Sequence, residues 1–210
     1  MSDHDLNWKF ADETVVEPEA IARVRLQSLE LGIDPVSPAV GAQLSVLTGV
    51  GRASSIIEIG TGVGVSGLWL LAGNRHAHLT SIDSEAEYHQ HARENFADAG
   101  IAPTRTRFIA GRAGEVLPRM NENSYDIVLV DADPESAIEY VEHALRLALP
   151  GGAVLVARAL WKGRVADPAR RDPVASGFRT LISELAGSNA VATSLSPAGE
   201  GLLQIVKLGA

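Results

Sequence analysis

The chain has 210 residues, is 46% hydrophobic and carries a net charge of −8 with no cysteine. That is enough to bury a sizeable core in one ordinary domain. It excludes a disulfide framework and a thiolate metal site, and the acidic balance argues against nucleic acid as the main partner. Met1 to Glu19 is polar and acidic, unlike a signal peptide, and no apolar run reaches the roughly 18 residues a membrane span needs. The expectation is a cytoplasmic protein with no membrane or nucleic-acid partner.

Residues 1–17 show no clear periodicity and read as a flexible arm, or one ordered by a partner subunit. Pro18 to Leu31 reads as a helix, with Ile21, Val24, Arg25 and Leu29 spaced along one mainly apolar face and Gly32 as its stop. Ser37-Pro38 is a helix start, a capping serine followed by proline at the first helical position. Val40, Leu44 and Leu47 continue it to Gly49. Ile56 to Ile59 is then a short buried strand around one acid, Glu58.

Glycines at 60, 62, 64 and 67 follow that strand, and Ser66 to Ala72 reads as a helix. Alternate glycines let the backbone turn sharply and approach a ligand closely. The free N–H groups of the helix start point back at it. Gly62-x-Gly64-x-x-Gly67 satisfies the dinucleotide fingerprint formally. Glu58, two residues before the first glycine, would repel a pyrophosphate but suits an ammonium or sulfonium. Asp83 ends the next apolar stretch, His78 to Asp83, where a carboxylate takes ribose hydroxyls.

Beyond it, 84–99 reads as a helix stopped by Gly100, 106–110 as a strand, and 111–114 as a turn into a helix over 115–120. Tyr125 to Val130 is an apolar strand ending at Asp131-Ala132-Asp133. Pro134 to Leu149 is a helix ended by Pro150-Gly151-Gly152, and Ala153 to Ala157 is a fifth strand. Alternation of strand and helix predicts an α/β, Rossmann-like, doubly wound parallel sheet with right-handed crossovers. Residues 162–173 form a charged, proline-bearing loop, 174–186 a helix, and 190–195 with 202–207 a hairpin that closes the sheet with antiparallel strands. The histidines are spread without metal-ligand spacing and read as structural or solvated. Gly64-Val-Ser-Gly67 is not a nucleophile elbow.

The chain resembles class I S-adenosylmethionine-dependent O-methyltransferases, most closely the cation-dependent branch that includes catechol and caffeoyl-CoA O-methyltransferases. The resemblance runs over 30–208. It is carried by Val36-Ser-Pro-Ala-Val-Gly-Ala-Gln-Leu, Glu58-Ile-Gly-Thr-Gly-Val-Gly-Val-Ser, Ser81-Ile-Asp83, Val130-Asp-Ala-Asp133, Pro150-Gly-Gly, Leu160-Trp-Lys-Gly-Arg-Val-Ala-Asp-Pro and Pro197-Ala-Gly-Glu-Gly. It implies one S-adenosyl-L-methionine-dependent methyltransferase domain over 1–210, with 1–50 as an N-terminal arm and helices. It also implies a small, phenolic acceptor and a homodimer.

By the same resemblance Val36 lines the methionine end, and Glu58, Gly60 and Thr61 hold the amino-acid part with help from Ser66. Asp83 takes the ribose, Ala113 lies along the adenine, and Asp131 faces the methionine ammonium and the acceptor. Asp133 and Trp161 are acceptor-side residues. The family's divalent cation is held by the first Asp of Asp-Ala-Asp and by an Asp-Asn pair ending the next strand. Here that pair is Ala157-Arg158, and the lysine that follows Asp-Ala-Asp is Pro134. One carboxylate gives too few hard oxygen ligands for Mg²⁺, so no metal is expected. Arg158 is placed beside Asp131, where a guanidinium takes over the cation's charge, and these two are the catalytic candidates. Two other readings stand beside this one: an S-adenosylmethionine-binding protein whose catalytic centre has decayed, and an NAD-dependent oxidoreductase.

Overall fold

The computed structural model describes residues 3–209. A seven-stranded sheet in the order β3-β2-β1-β4-β5-β7-β6 organises them. Its strands are β1 (Ser55–Ile59), β2 (His78–Asp83), β3 (Thr106–Ala110), β4 (Tyr125–Val130), β5 (Ala148–Ala157), β6 (Val191–Ser196) and β7 (Leu202–Lys207). β1 to β5 are parallel, and β7 runs antiparallel to both β5 and β6. The chain winds outward from β1 to β3 and returns to lay β4 beside β1. The strand order therefore reverses between β1 and β4, and a crevice opens at their carboxyl ends.

Both faces of the sheet are covered, which is why the central strands are mostly apolar. Strand alternation divides the core. Ile56, Ile127, Leu129 and Leu155 pack under α2 (Glu19–Glu30), α3 (Pro38–Val50), α4 (Val65–Gly73) and α5 (Ala86–Asp98). Ile57, Ile59, Val128, Val130 and Val154 face the other way, toward α6 (Ala113–Val116), α7 (Pro134–Leu147) and α8 (Pro173–Ala186).

Four expectations change. Within the arm expected over 1–17, the described residues form a helix: α1 spans Asp3–Thr14. It has no apolar stripe to announce it, and a tertiary contact holds it, Asp12 Oδ1 accepting from the Ala39 N–H at 2.9 Å. Ser37 Oγ accepts from the Val40 N–H, so two donors at the start of α3 are satisfied by two different segments.

On α2, Leu29 is exposed, whereas Ser28 is buried and donates to the Ile33 carbonyl. Arg25 is held by Glu17 through two bonds at 2.7 and 2.8 Å, and it donates to the Val36 carbonyl at 2.6 Å. It is thus a brace for the α2–α3 link, not part of an apolar face.

Pro150-Gly151-Gly152 does not end a helix but lies inside β5, where the register with β4 shifts. A Cβ on Gly152 would fall 2.9–3.1 Å from the carbonyls of Leu149, Tyr125 and Asp126, so only glycine lets the chain pass that irregularity. The helix read over 115–120 is likewise shorter: α6 covers Ala113–Val116, and a separate helical turn follows at Leu117–Arg119.

Candidate active site

The Gly-rich turn leaves β1 with Gly60, Gly62 and Gly64 all at positive φ (99°, 48° and 102°). A Cβ on Gly60 would sit 2.0 Å from the Asp131 carbonyl oxygen. This glycine is what lets the ends of β1 and β4 lie against each other. The turn is held from β2: Asp83 Oδ2 accepts from the N–H groups of Thr61 and Gly62 at 2.9 and 3.0 Å, and its Oδ1 accepts from Glu85 N–H.

Two cavities meet along this edge. The larger, about 610 Å³, is lined by Gly60, Asp83, Ala113, Asp131, Asp133, Arg158 and Trp161. The smaller, about 140 Å³, is lined by Val36, Gly60, Thr61, Ser66, Asp83 and Asp131. Gly60, Asp83 and Asp131 belong to both and mark their junction. Asp133 also caps α7, accepting from the Ser136 N–H at 3.0 Å.

Glu58 is the exception among the residues singled out by sequence. It lines neither cavity and is wholly buried. Strand alternation puts it on the same face as Ile56, under α4. There its oxygens accept from Ser66 Oγ at 3.0 Å and Ser81 Oγ at 2.8 Å. Burial pushes its pKa up to about 8, against the smaller lowering by those two hydroxyls, with Asp131 and Asp83 raising it further. Glu58 is therefore a neutral acid at moderate pH that ties α4 to β1 and β2.

Arg158 ends β5 with φ of 58°. Its Nε donates to Asp131 Oδ1 at 2.9 Å, its Nη1 to Asp34 Oδ2 at 3.0 Å and its Nη2 to the Asp34 carbonyl at 2.6 Å. Burial raises the Asp131 pKa from its ordinary value by more than Arg158 lowers it. For Arg158 burial acts downward, but Asp131, Asp34 and Glu200 reverse it, and the guanidinium is fixed as a cation. Asp131 Oδ2 has no hydrogen-bond partner among the described residues and stays open to the cavities.

Sequence reasoning missed Asp34, although it lies in the link between α2 and α3 that Arg25 braces. It also missed Lys162 and Glu200, which line the larger cavity. The only signal was position, beside Gly32 and between Gly199 and Gly201. Trp161 and Lys162 also take positive φ (40° and 55°), and Arg164 lies over the Trp161 ring at 4.1 Å. Strained residues clustered along one wall are a mark of a working site.

Asp131 is engaged by a guanidinium, the next strand ends in Ala157-Arg158, and no group of three or more His, Asp or Glu able to hold a metal occurs among the described residues. The crevice does fit an adenosyl cofactor. A carboxylate at the tip of β2, a Gly-rich turn and a two-lobed cavity at the switch point are the parts such a ligand needs.

An open doubly wound sheet with that crevice defines a nucleoside-cofactor enzyme fold. The comparisons narrow it. The sequence model of the O-methyltransferase family matches residues 13–208. A Mycobacterium avium protein bearing the O-methyltransferase name is 44% identical over 198 residues, covering 94% of this chain and 89% of that protein. A Corynebacterium glutamicum structure superposes with a TM-score of 0.90 at 28% identity, over 100% of this chain and 99% of the other. The Streptomyces achromogenes O-methyltransferase involved in tomaymycin synthesis, solved with S-adenosylmethionine, gives a TM-score of 0.83 at 28% identity with both chains wholly covered. The chain belongs to the O-methyltransferase family.

Proposed function

We propose that this protein moves a methyl group from S-adenosylmethionine to a hydroxyl of a small, phenolic acceptor, and that it does so without a divalent cation. The observation that carries the second clause is the Arg158–Asp131 pair, with a nitrogen–oxygen distance of 2.9 Å. The first rests on the family and on the Streptomyces relative solved with that cofactor.

Asp83 would hold the ribose hydroxyls with the lone pairs its backbone bonds leave free. Ala113 would lie against the adenine, and Val36, Thr61 and Ser66 would surround the methionine. Bound there, the cofactor supplies a methyl group on a sulfonium, whose sulfur keeps the bonding pair as a neutral thioether when the methyl leaves. Asp131 Oδ2 takes the proton of the acceptor hydroxyl, and burial makes it a stronger base than an ordinary carboxylate. Arg158 keeps N–H hydrogens free after its three bonds, and its charge favours the developing oxyanion. Trp161 forms the acceptor-side wall. The rest of the enzyme's work is alignment.

The test is direct. Calorimetry should show binding of S-adenosylmethionine and none of NAD, and turnover on a phenol panel should be unchanged by EDTA and not raised by Mg²⁺. Activity abolished by EDTA and restored by Mg²⁺ would rule out the metal-free reading. Tight cofactor binding without turnover on any hydroxyl acceptor would favour the decayed-centre alternative.

A further inference from the structure

A second cavity of about 470 Å³ lies away from the crevice, at the free edge of the sheet. Its floor is apolar, made by Ile109 of β3 with Val116 and Met120, and its rim carries Arg107 and Arg119, with Tyr125 at the start of β4. No carboxylate lines it. The guanidinium groups of Arg107 and Arg119 make no hydrogen bond or ion pair with any described residue, and neither does the Tyr125 hydroxyl. In a chain with net charge −8, two uncompensated guanidinium groups beside one apolar floor make a local positive field.

The cavity is also preformed. The turn that makes its wall is fastened from α7, where Arg146 donates to the carbonyls of Leu117 at 2.7 Å and Met120 at 2.9 Å. The backbone N–H groups of Asn123 and Ser124 bond the carbonyls of Arg146 and Leu147. A groove whose wall is already ordered does not spend binding energy on ordering it. Its volume lies within the range of small-molecule sites.

We propose that this groove is a second binding site, for a small organic anion with a flat apolar body, such as an aryl carboxylate or aryl sulfonate. The body covers Ile109, Val116 and Met120, and the charged group is shared between the Arg107 and Arg119 guanidiniums, with the Tyr125 hydroxyl as a third donor. The proposal is independent of the reaction, since none of these residues lines the crevice.

The experiment titrates the full chain with naphthalene sulfonate and follows backbone amide NMR shifts. Shifts confined to 107–125, with the neutral isostere naphthyl alcohol binding roughly tenfold or more weakly, are expected from two charge-assisted bonds. The double variant Arg107→Glu with Arg119→Glu should lose the same factor while keeping its thermal midpoint, because both side chains are exposed and unpaired. Arg52→Glu with Arg75→Glu, an equal charge change in the turns before β1 and β2, should leave binding alone. Shifts centred on the crevice or on the N-terminal helices, equal binding of the alcohol, or binding that survives the double variant would each overturn the assignment.

Discussion

At the scale of single residues, two buried acids near the crevice have opposite duties. Asp131 keeps one oxygen open and has a cationic partner, whereas Glu58 has both oxygens engaged and no cation. Because the Glu58 pKa rises from 4.5 to about 8 on folding, the native chain holds a proton that the unfolded chain releases. Linkage then gives a fixed sign: its contribution is fully present below pH 4.5 and is lost as pH rises toward about 8. Glu58→Gln keeps a group that bonds Ser66 and Ser81 but cannot titrate. Denaturant melts should show the wild type losing stability across that window and the variant losing less, and identical slopes would contradict the neutral-acid assignment. Arg158→Ala takes away the cation that lowers the Asp131 pKa. The acid limb of the turnover profile should move to higher pH, and kcat should fall about a hundredfold or more. Affinity for the cofactor should change far less, and Arg158→Lys should recover part of the loss. Equal losses in binding and turnover would make Arg158 structural.

At the scale of elements, the close packing of α3 on α4 is a point of little tolerance. Gly41 faces Trp69, and a Cβ there would come within 2.3 Å of Trp69 Nε1. Trp69 is buried and cannot step aside into solvent. Gly41→Ala should cost about 1–3 kcal/mol and lower Tm by roughly 2–12 °C, as read by calorimetry. An unchanged Tm would mean the two helices can part without penalty. Sequence periodicity placed α3 and α4 well, because Ser37-Pro38 and the Gly-rich turn are local signals. It found the central strands from their unbroken apolar runs, and the acids at their tips, Asp83 and Asp131, from where those runs stop. Features fixed by contacts between distant segments were not legible. α1 depends on Asp12 meeting the Ala39 N–H, and Asp34 enters the site only because Arg158 reaches it from 124 positions away. The period-2 geometry of β1 also turns Glu58 under α4, which its spacing from the glycines did not announce.

At the scale of the molecule, the apolar surface is unevenly spread. Of the large hydrophobic side chains left exposed among the described residues, Leu6, Trp8, Phe10, Val16, Leu26, Leu29, Leu31, Val46 and Val50 lie in the first fifty positions, against Leu195, Val206 and Leu208 elsewhere. Phe10 is 70% exposed and Val50 82%. The acidic net charge opposes association in general, and we propose that a second copy covers the apolar groups concentrated on and between α1, α2 and α3. The same helices flank the link carrying Asp34 and Val36, which line the smaller lobe of the crevice. Assembly and cofactor binding would then be coupled through that link, each favouring the other by the same factor. Light scattering at micromolar concentration should give a mass twice the 22.2 kDa of the chain. Phe10→Glu with Val50→Glu should yield a folded monomer that binds S-adenosylhomocysteine more weakly. A wild-type monomer under those conditions would refute the dimer, and a monomeric variant with undiminished affinity would refute the coupling.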